Sequence, residues 1–389
     1  MPPDTTVQRA AFLRSRKIRR IIVKLGSGTL TDASFGLRET TIRSLAAQVA
    51  GLRESRGIEV VVVTSGAIAA GRKKLGIADR PRTVALKQAA AAVGQTTLMR
   101  AYERAFEKRG LKVGQLLLTH EDFENRERYV NARNTLETLL ARGIVPIINE
   151  NDTVATEEIR LGDNDHLAAL VTQLIGADLL LLLTDSDALY TRDPRRHPDA
   201  KRIPILAGVD DSLLRSSAGK SGPAGTGGMG SKLLAARVVT AWGTPAVIAG
   251  GLSRRSILDV LDGKETGTLI LPGGGARARS RKLWIAHALQ AHGTISVDDG
   301  AKKVLLEGGK SLLPAGILGV TGTFRKGDAV SIGDRRGRAF AQGIASWSSE
   351  QVKRGMGKKS AEVRSILGED IPAEVVHRDN LTILAAGGR

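Results

Sequence analysis

Short, uniformly apolar stretches alternate with longer amphipathic stretches through the first two thirds of the chain. This alternation predicts an α/β fold, in which a central, mostly parallel sheet lies between layers of helices. Strands this apolar are buried on both faces of the sheet. The predicted strands are RIIVKLG, EVVVVTSG, LKVGQLLLT, IVPIINEN, DLLLLLTD and PAVIAGG. The clearest predicted helices span residues 39–55, 83–109, 128–142 and 164–175. In such a fold, ligand-binding residues are expected at the carboxyl ends of the strands.

The composition changes after Leu271, where the stretch PGGGARARSR is rich in Pro, Gly and Arg and has no periodicity. Such a stretch is typical of a linker, and the short strand patterns and glycine turns beyond it predict a small, mainly β domain. The predicted division is a basic N-terminal tail at 1–19, a first domain at 20–275, a linker at 276–282 and a second domain at 283–380. The tail lacks the apolar core of a secretory signal, and we expect it to be solvated.

Composition excludes several classes of protein. The chain has no cysteine, which rules out disulfide frameworks, thiolate metal sites and cysteine nucleophiles. Its longest apolar run is far too short to span a bilayer, and we expect a cytoplasmic protein with no membrane partner. The formal net charge of +18 is spread along the chain, and only 3% of the residues are aromatic. A solvated basic surface is therefore favoured over a nucleic-acid site, with RNA as the open alternative.

Two predicted strand ends carry residue types that bind phosphate. Lys24 ends the first strand and is followed by Gly26 and Gly28, whose bare backbone N–H groups allow close approach of an anion. Ser65 and Gly66 end the second strand and lead directly into a helix. Either turn taken alone is equally well explained as a tight connection.

The most polar connection follows the fourth strand. Its acidic and amide side chains form two clusters around a predicted β-hairpin, and they are Asn149, Glu150, Asn151, Asp152, Asp163, Asn164 and Asp165. Capping of the next helix explains Asp163 or Asn164 alone, but it does not explain both clusters. These side chains are suited to bind an ammonium group, to hold Mg2+ or to orient lysines, and the sequence leaves these three roles open.

The stretch GTGGMGSK, residues 225–232, is similar to two phosphate-binding motifs but has the context of neither. No buried strand precedes it, and the strand after it ends without the acidic residue that a dinucleotide site needs. We interpret it as a glycine-rich lid over a polyphosphate, leading into a helix with Lys232 in its first turn. Thr184 and Asp185, at the end of the LLLLLT strand, are suited either to hold a nucleotide or to form a turn.

Two lysines, glycine-rich turns and Asp-rich connections together predict phosphoryl transfer, which depends on positioning and on the neutralisation of negative charge. No Ser-His-Asp order, histidine-rich metal site or glycosidase signature competes with this prediction. Of the 6 histidines, only His166 lies in a candidate site, where we expect it to support other residues or to face solvent.

Motifs along nearly the whole chain resemble those of the glutamate 5-kinase family, whose members have an amino acid kinase fold and a C-terminal PUA domain. The motifs are VKLGSGTLT, VTSGAIAAG, NARNTL, INENDTVAT, GDNDHLAALV, LLLTDSDALYTRDPR, GTGGMGSK, ISVDDGAKKVL, SLLPAGI and GVTGTF, between about Arg20 and His377. The resemblance implies three catalytic residues, which are Lys24, Asp165 and Lys232, with Asp165 organising the two lysines. The residues that it implies for glutamate are Ser65, Asp152 and Asn164. Those that it implies for ATP are Lys24, Thr184, Asp185, Thr226, Gly227, Gly228, Met229, Gly230, Ser231 and Lys232.

The resemblance also implies a reaction, in which the γ-phosphate of ATP moves to the side-chain carboxylate of L-glutamate as the first step of proline biosynthesis. Mg2+ is expected to be held mainly by the ATP phosphates, and its protein ligands stay open. Inhibition by proline, delivery of the product to glutamate-5-semialdehyde dehydrogenase and a dimer or tetramer are expected. Ser231 stands where many relatives have Thr and keeps the hydroxyl. The alternatives are a kinase for another acid, UMP or carbamate, against which INENDTVAT argues, and a PUA-dependent RNA-binding regulatory protein.

Overall fold

A computed structural model describes residues 5–32, 36–77, 81, 83–154, 163–194, 196–217, 228–272, 291–358, 360–368 and 371–384. The chain divides into two compact units. Unit 1 consists of Met1–Asp122 and Val130–Gly274, and unit 2 consists of Phe123–Tyr129 and Gly275–Arg389. The linker predicted at 276–282 lies outside the described residues.

Unit 1 is built on an eight-stranded sheet, and its strand order is β3-β4-β2-β1-β5-β7-β8-β6. The strands are β1 (Arg20–Leu25), β2 (Glu59–Val63), β3 (Val113–Leu118), β4 (Val145–Glu150), β5 (Leu179–Thr184), β6 (Ile205–Leu206), β7 (Ala246–Gly250) and β8 (Thr268–Ile270). Neighbouring strands are parallel except β7 and β8, which run antiparallel. Together with the helices around it, this mostly parallel sheet confirms the predicted α/β class.

The central strands explain why the sheet was visible in the sequence. Every residue of β5 is buried, as is every residue of β1 after Arg20, because helices cover both faces. Ile22 of β1 lies opposite Val61 of β2 on one side and Leu180 of β5 on the other. The chain leaves β1 toward β2 and leaves β5 toward β6, in opposite directions along the sheet, and a crevice is expected between the carboxyl ends of two such strands.

The helices of unit 1 follow the predicted amphipathic stretches closely. They are α1 (Thr5–Ser15), α2 (Ser27–Leu30), α3 (Glu39–Arg56), α4 (Ala67–Leu75), α5 (Val84–Glu107), α6 (Glu121–Glu124), α7 (Arg126–Ala141), α8 (Asp163–Leu174), α9 (Asp211–Ser217), α10 (Met229–Ala241) and α11 (Ser256–Leu261), with parts of α6 and α7 assigned to unit 2. α3 ends at Gly57 because its φ of 63° is left-handed, which glycine adopts without strain, and its N–H then bonds back to Leu52 and Arg53.

α4 and α5 pack with their backbones in contact. A Cβ atom added at Gly94 of α5 would lie 1.8 Å from the carbonyl oxygen of Ala67, and one added at Gly71 of α4 would lie 1.8 Å from that of Ala90. Only glycine allows so close an approach. The contact holds α5 against the first turn of α4, which begins directly behind Ser65.

The prediction of a solvated tail at 1–19 is wrong. Residues Thr5–Ser15 form α1, and Leu13 is buried in the core of unit 1. The guanidinium group of Arg9 is buried and donates to the carbonyl oxygens of Gly267 (3.0 Å), Pro204 (3.4 Å) and Thr266. Burial, with Arg202 nearby, lowers the pKa of Arg9 to about 10, so the group stays charged at neutral pH. The basic composition of the segment did not indicate a helix whose buried arginine donates hydrogen bonds to backbone carbonyl oxygens.

Unit 2 is mainly β, as predicted for the second domain. Its five-stranded sheet has the order β10-β9-β11-β12-β13, with strands β9 (Gly293–Val297), β10 (Ile317–Gly322), β11 (Ala329–Gly333), β12 (Ala339–Ile344) and β13 (Leu381–Ile383). Its helices are α12 (Asp299–Gly308), α13 (Ser349–Gly355) and α14 (Ser360–Leu367). Trp347 is buried in its core, and the indole N–H donates to the carbonyl oxygen of Pro372 (2.9 Å). In the described part of the chain, no helix is long and apolar enough to cross a bilayer.

Candidate active site

The predicted site residues follow four adjacent strands of the unit 1 sheet. Lys24 lies near the carboxyl end of β1, Ser65 follows β2, and Asp152 follows β4. Thr184 ends β5, and Asp185 comes next. Because β4, β2, β1 and β5 are neighbours and parallel, these residues reach the same edge of the sheet.

Lys24, Asp165 and Lys232 meet in a buried cluster at this edge. The Lys24 ammonium lies 2.6 Å from Oδ1 of Asp165, and that of Lys232 lies 3.1 Å from Oδ2. The exposed fractions of the three residues are only 5%, 1% and 4% in chain order. Ser231 donates its hydroxyl to the same Oδ2 (2.7 Å). Asp165 therefore holds two ammonium groups that come from different elements, β1 and α10.

The electrostatics of this cluster favour an anionic ligand. Burial by itself would raise the pKa of Asp165, but the two lysines and the Ser231 hydroxyl outweigh it, and the pKa is lowered. The carboxylate is therefore ionised at neutral pH. Two ammonium groups share one carboxylate in this buried place, an arrangement that suits a phosphate oxygen as a further partner.

Three glycines lie beside this cluster. A Cβ atom at Gly26 would lie 3.6 Å from the Lys24 ammonium, and one at Gly28 would lie 3.6 Å from the Asp185 side chain. Gly228 precedes the first turn of α10, which contains Met229, Gly230, Ser231 and Lys232. The positive end of that helix thus lies beside the lysine cluster. Thr226 and Gly227, also predicted for ATP, lie outside the described residues.

Asn164, at the start of α8, connects the ends of β2 and β4. Its side-chain nitrogen donates to the hydroxyl of Ser65 (3.1 Å), and its oxygen accepts from the backbone N–H of Glu150 (3.2 Å). Gly66 has a φ of 99°, a left-handed value that turns the chain from Ser65 into α4. Asp152 is half-buried just beyond β4. The hairpin predicted after it, and the side chain of Asp163, lie outside the described residues.

Thr184 and Asp185 form the edge of the site at β5. The Thr184 hydroxyl donates to Oδ1 of Asp185 (3.0 Å), and the Thr184 carbonyl oxygen accepts from the backbone N–H of Gly251 (2.7 Å). These bonds fix the turn that follows β5 and hold Asp185 beside Gly28. The prediction that this strand end contacts a nucleotide stays a prediction.

Two further side chains near the site, Tyr102 and Gln95, had no role in the sequence analysis. Tyr102 of α5 is fully buried, and its hydroxyl shares a hydrogen bond with that of Thr64 (2.7 Å), next to Ser65. Burial raises the pKa of Tyr102 above its usual value, so the phenol is neutral. Gln95 of α5 accepts from the side-chain nitrogen of Asn149 (2.9 Å). Both lie in α5, a helix that was predicted from its apolar periodicity. Such periodicity does not indicate which polar side chains of a helix lie near a site.

His166 stacks on His120, with ring centroids 5.0 Å apart. Burial, and then the neighbouring His120, lower the pKa of His166 to about 4. The His166 ring is therefore neutral at physiological pH and supports the first turn of α8, where Asn164 and Asp165 lie. His120, which follows β3, was the missed partner in this pair.

Metal ligands are scarce around the site. Within the described ranges, no group of three or more His, Cys, Asp or Glu side chains could hold a metal ion. Asp165, the most central carboxylate, is committed to two lysines.

Comparisons with known proteins give the family. Residues 19–250 match the amino acid kinase family, and residues 293–367 match the PUA domain. A glutamate 5-kinase from Citrifermentans bemidjiense is 50% identical over 369 residues, which cover 95% of this chain and 98% of that protein. A glutamate 5-kinase from Geobacter sulfurreducens is 48% identical over 368 residues, again 95% and 98% of the two chains. The chain belongs to the glutamate 5-kinase family.

Among solved structures, the UMP kinase of Bacillus anthracis has a TM-score of 0.45 and 17% identity, and the match covers 66% of this chain and 97% of that one. The glutamate 5-kinase relatives match unit 1 and unit 2 together, since the aligned length covers nearly all of both chains. Membership of the glutamate 5-kinase family and the presence of both domains confirm the resemblance stated from the motifs.

Proposed function

We propose that the chain transfers the γ-phosphoryl group of ATP to the side-chain carboxylate of L-glutamate, the first step of proline biosynthesis. Family membership supports the substrates, and one structural observation carries the mechanism. That observation is the buried contact of both Lys24 and Lys232 with Asp165. Two ammonium groups joined by one carboxylate suit a reaction between two anions, because the charges of phosphate and carboxylate must be neutralised as they approach.

The bonds that change define what the residues must do. A carboxylate oxygen of glutamate attacks the γ-phosphorus, the bond from that phosphorus to the bridging oxygen breaks, and ADP leaves. The attacking carboxylate has no proton to lose, so the site needs no general base. Asp165, with its lowered pKa, is accordingly suited to hold Lys24 and Lys232 in position rather than to accept a proton. The lysines would neutralise the charge spread over the transferred group.

Mg2+ fits this site as an ion bound to the nucleotide. When bound, it supplies further positive charge to the phosphate oxygens. We propose that the ATP phosphates hold most of its coordination sphere, as is usual where Mg2+ acts with a nucleotide. On the protein side, Thr184, Asp185 and the stretch 226–232 are proposed to contact ATP, with Lys24 and Lys232 directed at its phosphates.

Ser65, Asp152 and Asn164 are proposed to bind glutamate. Asn164 and Ser65 are already joined by a hydrogen bond, and Asp152 lies beyond the next strand, where a carboxylate can pair with the substrate ammonium group.

Asp152→Ala should raise the KM for glutamate by about tenfold or more, since the ammonium loses a charged partner. The KM for ATP should stay nearly unchanged, and inhibition by proline should weaken. Steady-state kinetics with each substrate varied measures this, and equal effects on both KM values would contradict the assignment.

A kinase for a different acid is the main alternative to this function. A coupled assay of ADP release with a panel of amino acids and other acids separates the two, because only the expected enzyme is fastest with L-glutamate. Five expectations stay predictions. They are inhibition by proline, delivery of the product to glutamate-5-semialdehyde dehydrogenase, RNA binding by the PUA domain, assembly as a dimer or tetramer, and a cytoplasmic location.

A further inference from the structure

Gln95 lies at the end of a chain of amide hydrogen bonds that leads to the proposed glutamate residues. Its side-chain oxygen accepts from the side-chain nitrogen of Asn149 (2.9 Å), and Asn149 is buried. The backbone N–H of Glu150 donates both to Asn149 Oδ1 (3.0 Å) and to Asn164 Oδ1 (3.2 Å). Asn164 then donates to Ser65 (3.1 Å). One helix, α5, is thereby connected to the ends of β4 and β2 and to the start of α8.

The orientation of the Gln95 amide follows from this chain. A backbone N–H can only donate, so the Asn149 atom that faces Glu150 must be its oxygen. The nitrogen of Asn149 is then turned toward Gln95, which must present its own oxygen to it. The remaining group of Gln95, its NH2, is buried and has no hydrogen-bond partner among the described residues. Buried NH2 groups are nearly always paired, and an unpaired one calls for an explanation.

The packing of α5 explains how Gln95 comes so near the site. Gly94, the preceding residue, allows α5 to contact the carbonyl oxygen of Ala67, in the first turn of α4. That turn begins two residues after Ser65. The glycine contact therefore presses this part of α5 against the strand end that carries a proposed glutamate ligand, and Gln95 is the next residue along the helix.

The geometry points to Gln95 as a further substrate-binding residue, whose oxygen positions Asn149 and whose NH2 donates to a carboxylate oxygen of glutamate. This inference rests on the proposed glutamate kinase activity and on Ser65 and Asn164 belonging to the glutamate site. A carboxylate is the chemistry that fits, because a group that can only donate needs an acceptor, and a charged acceptor forms the stronger hydrogen bond.

The test compares Gln95→Glu with the wild-type enzyme. The variant keeps the shape and the oxygen that meets Asn149, but it replaces the donor with a second oxygen that repels a carboxylate. We expect the KM for glutamate to rise about tenfold or more, as for a lost charge-assisted hydrogen bond, with the KM for ATP within about twofold. Gln115→Glu, the same change at an exposed position of β3, is the matched control and should leave both KM values unchanged.

A second variant and a thermal measurement cover a failure to fold. Gln95→Met has a similar length and donates no hydrogen bond, and it should raise the KM for glutamate in the same direction while the KM for ATP stays within about twofold. Because it also removes the acceptor of the buried Asn149 side chain, a modest fall in melting temperature is expected. An unchanged glutamate KM in a folded variant, or equal increases in both KM values with a lower melting temperature, would overturn the inference. Wild-type enzyme that fails to phosphorylate glutamate would instead overturn the proposed function.

Discussion

At the scale of single residues, the two lysines bound to Asp165 carry the greatest chemical consequence. Lys24→Met or Lys232→Met should lower kcat by about 10²-fold or more, since each removes an ammonium group that, in the proposed mechanism, meets charge developing in the transition state. The KM for glutamate should change much less. Steady-state kinetics on variants shown to be folded by circular dichroism measures this, with exposed Lys74→Met as the control. Near-normal turnover in either variant would remove that lysine from the mechanism.

His166 makes a second prediction at the residue scale. Its pKa is about 4 in the folded protein and 6.5 in the unfolded chain, so the folded state favours the neutral ring. The stability that the neutral ring contributes is fully present above pH 6.5 and is lost as the pH falls from 6.5 toward 4, by about 3 kcal/mol. His166→Asn should therefore flatten the unfolding free energy over this range, measured by urea denaturation. Exposed His197→Asn is the control, and equal pH slopes for wild type and His166→Asn would contradict the prediction.

At the scale of helices and strands, the contact between α4 and α5 is the least tolerant of change. Gly71→Ala or Gly94→Ala would place a Cβ atom 1.8 Å from a backbone carbonyl oxygen, so the helices must separate. We expect the unfolding free energy to fall by about 3 kcal/mol or more. Gly51→Ala on α3 is the matched control, because it meets no atom within 4 Å and a helix interior prefers Ala by about 1 kcal/mol. Urea denaturation of the three variants measures the difference, and equal stabilities would refute the close packing.

At the scale of the whole molecule, the division into two units makes a prediction about truncation. All residues proposed to bind ATP, glutamate or phosphate belong to unit 1, which is complete at β8. A chain ending near Gly275 should therefore fold and phosphorylate glutamate, with changed regulation or assembly. The segment Phe123–Tyr129 groups with unit 2 but remains in the shortened chain. Because this segment loses the unit with which it groups, the melting temperature of the shortened chain should be lower than that of the full chain. A folded but inactive truncation that regains activity when unit 2 is added would show that unit 2 completes the site.

The sequence by itself determined the class of fold and the strand ends that form the site. Apolar runs such as Leu179–Leu183 predict buried strands because burial on both faces leaves no polar position, and this pattern is local. Glycines directly after such runs mark tight turns, and this pattern is local too. That is why Lys24 and Ser65 could be placed at strand ends. The motifs also predicted the family, which the comparisons confirmed.

Only the tertiary structure decided which side chains meet. The strand order β4-β2-β1-β5 brings together residues far apart in the chain, so it alone places Ser65 against Asn164 and leaves Asn149 to face Gln95. The tertiary structure also determines that the N-terminal segment is a packed helix, because Arg9 donates hydrogen bonds to carbonyl groups more than 190 residues away. Hydrogen bonds of this kind leave no periodic pattern in a sequence, because their partners are set by packing and not by neighbours along the chain.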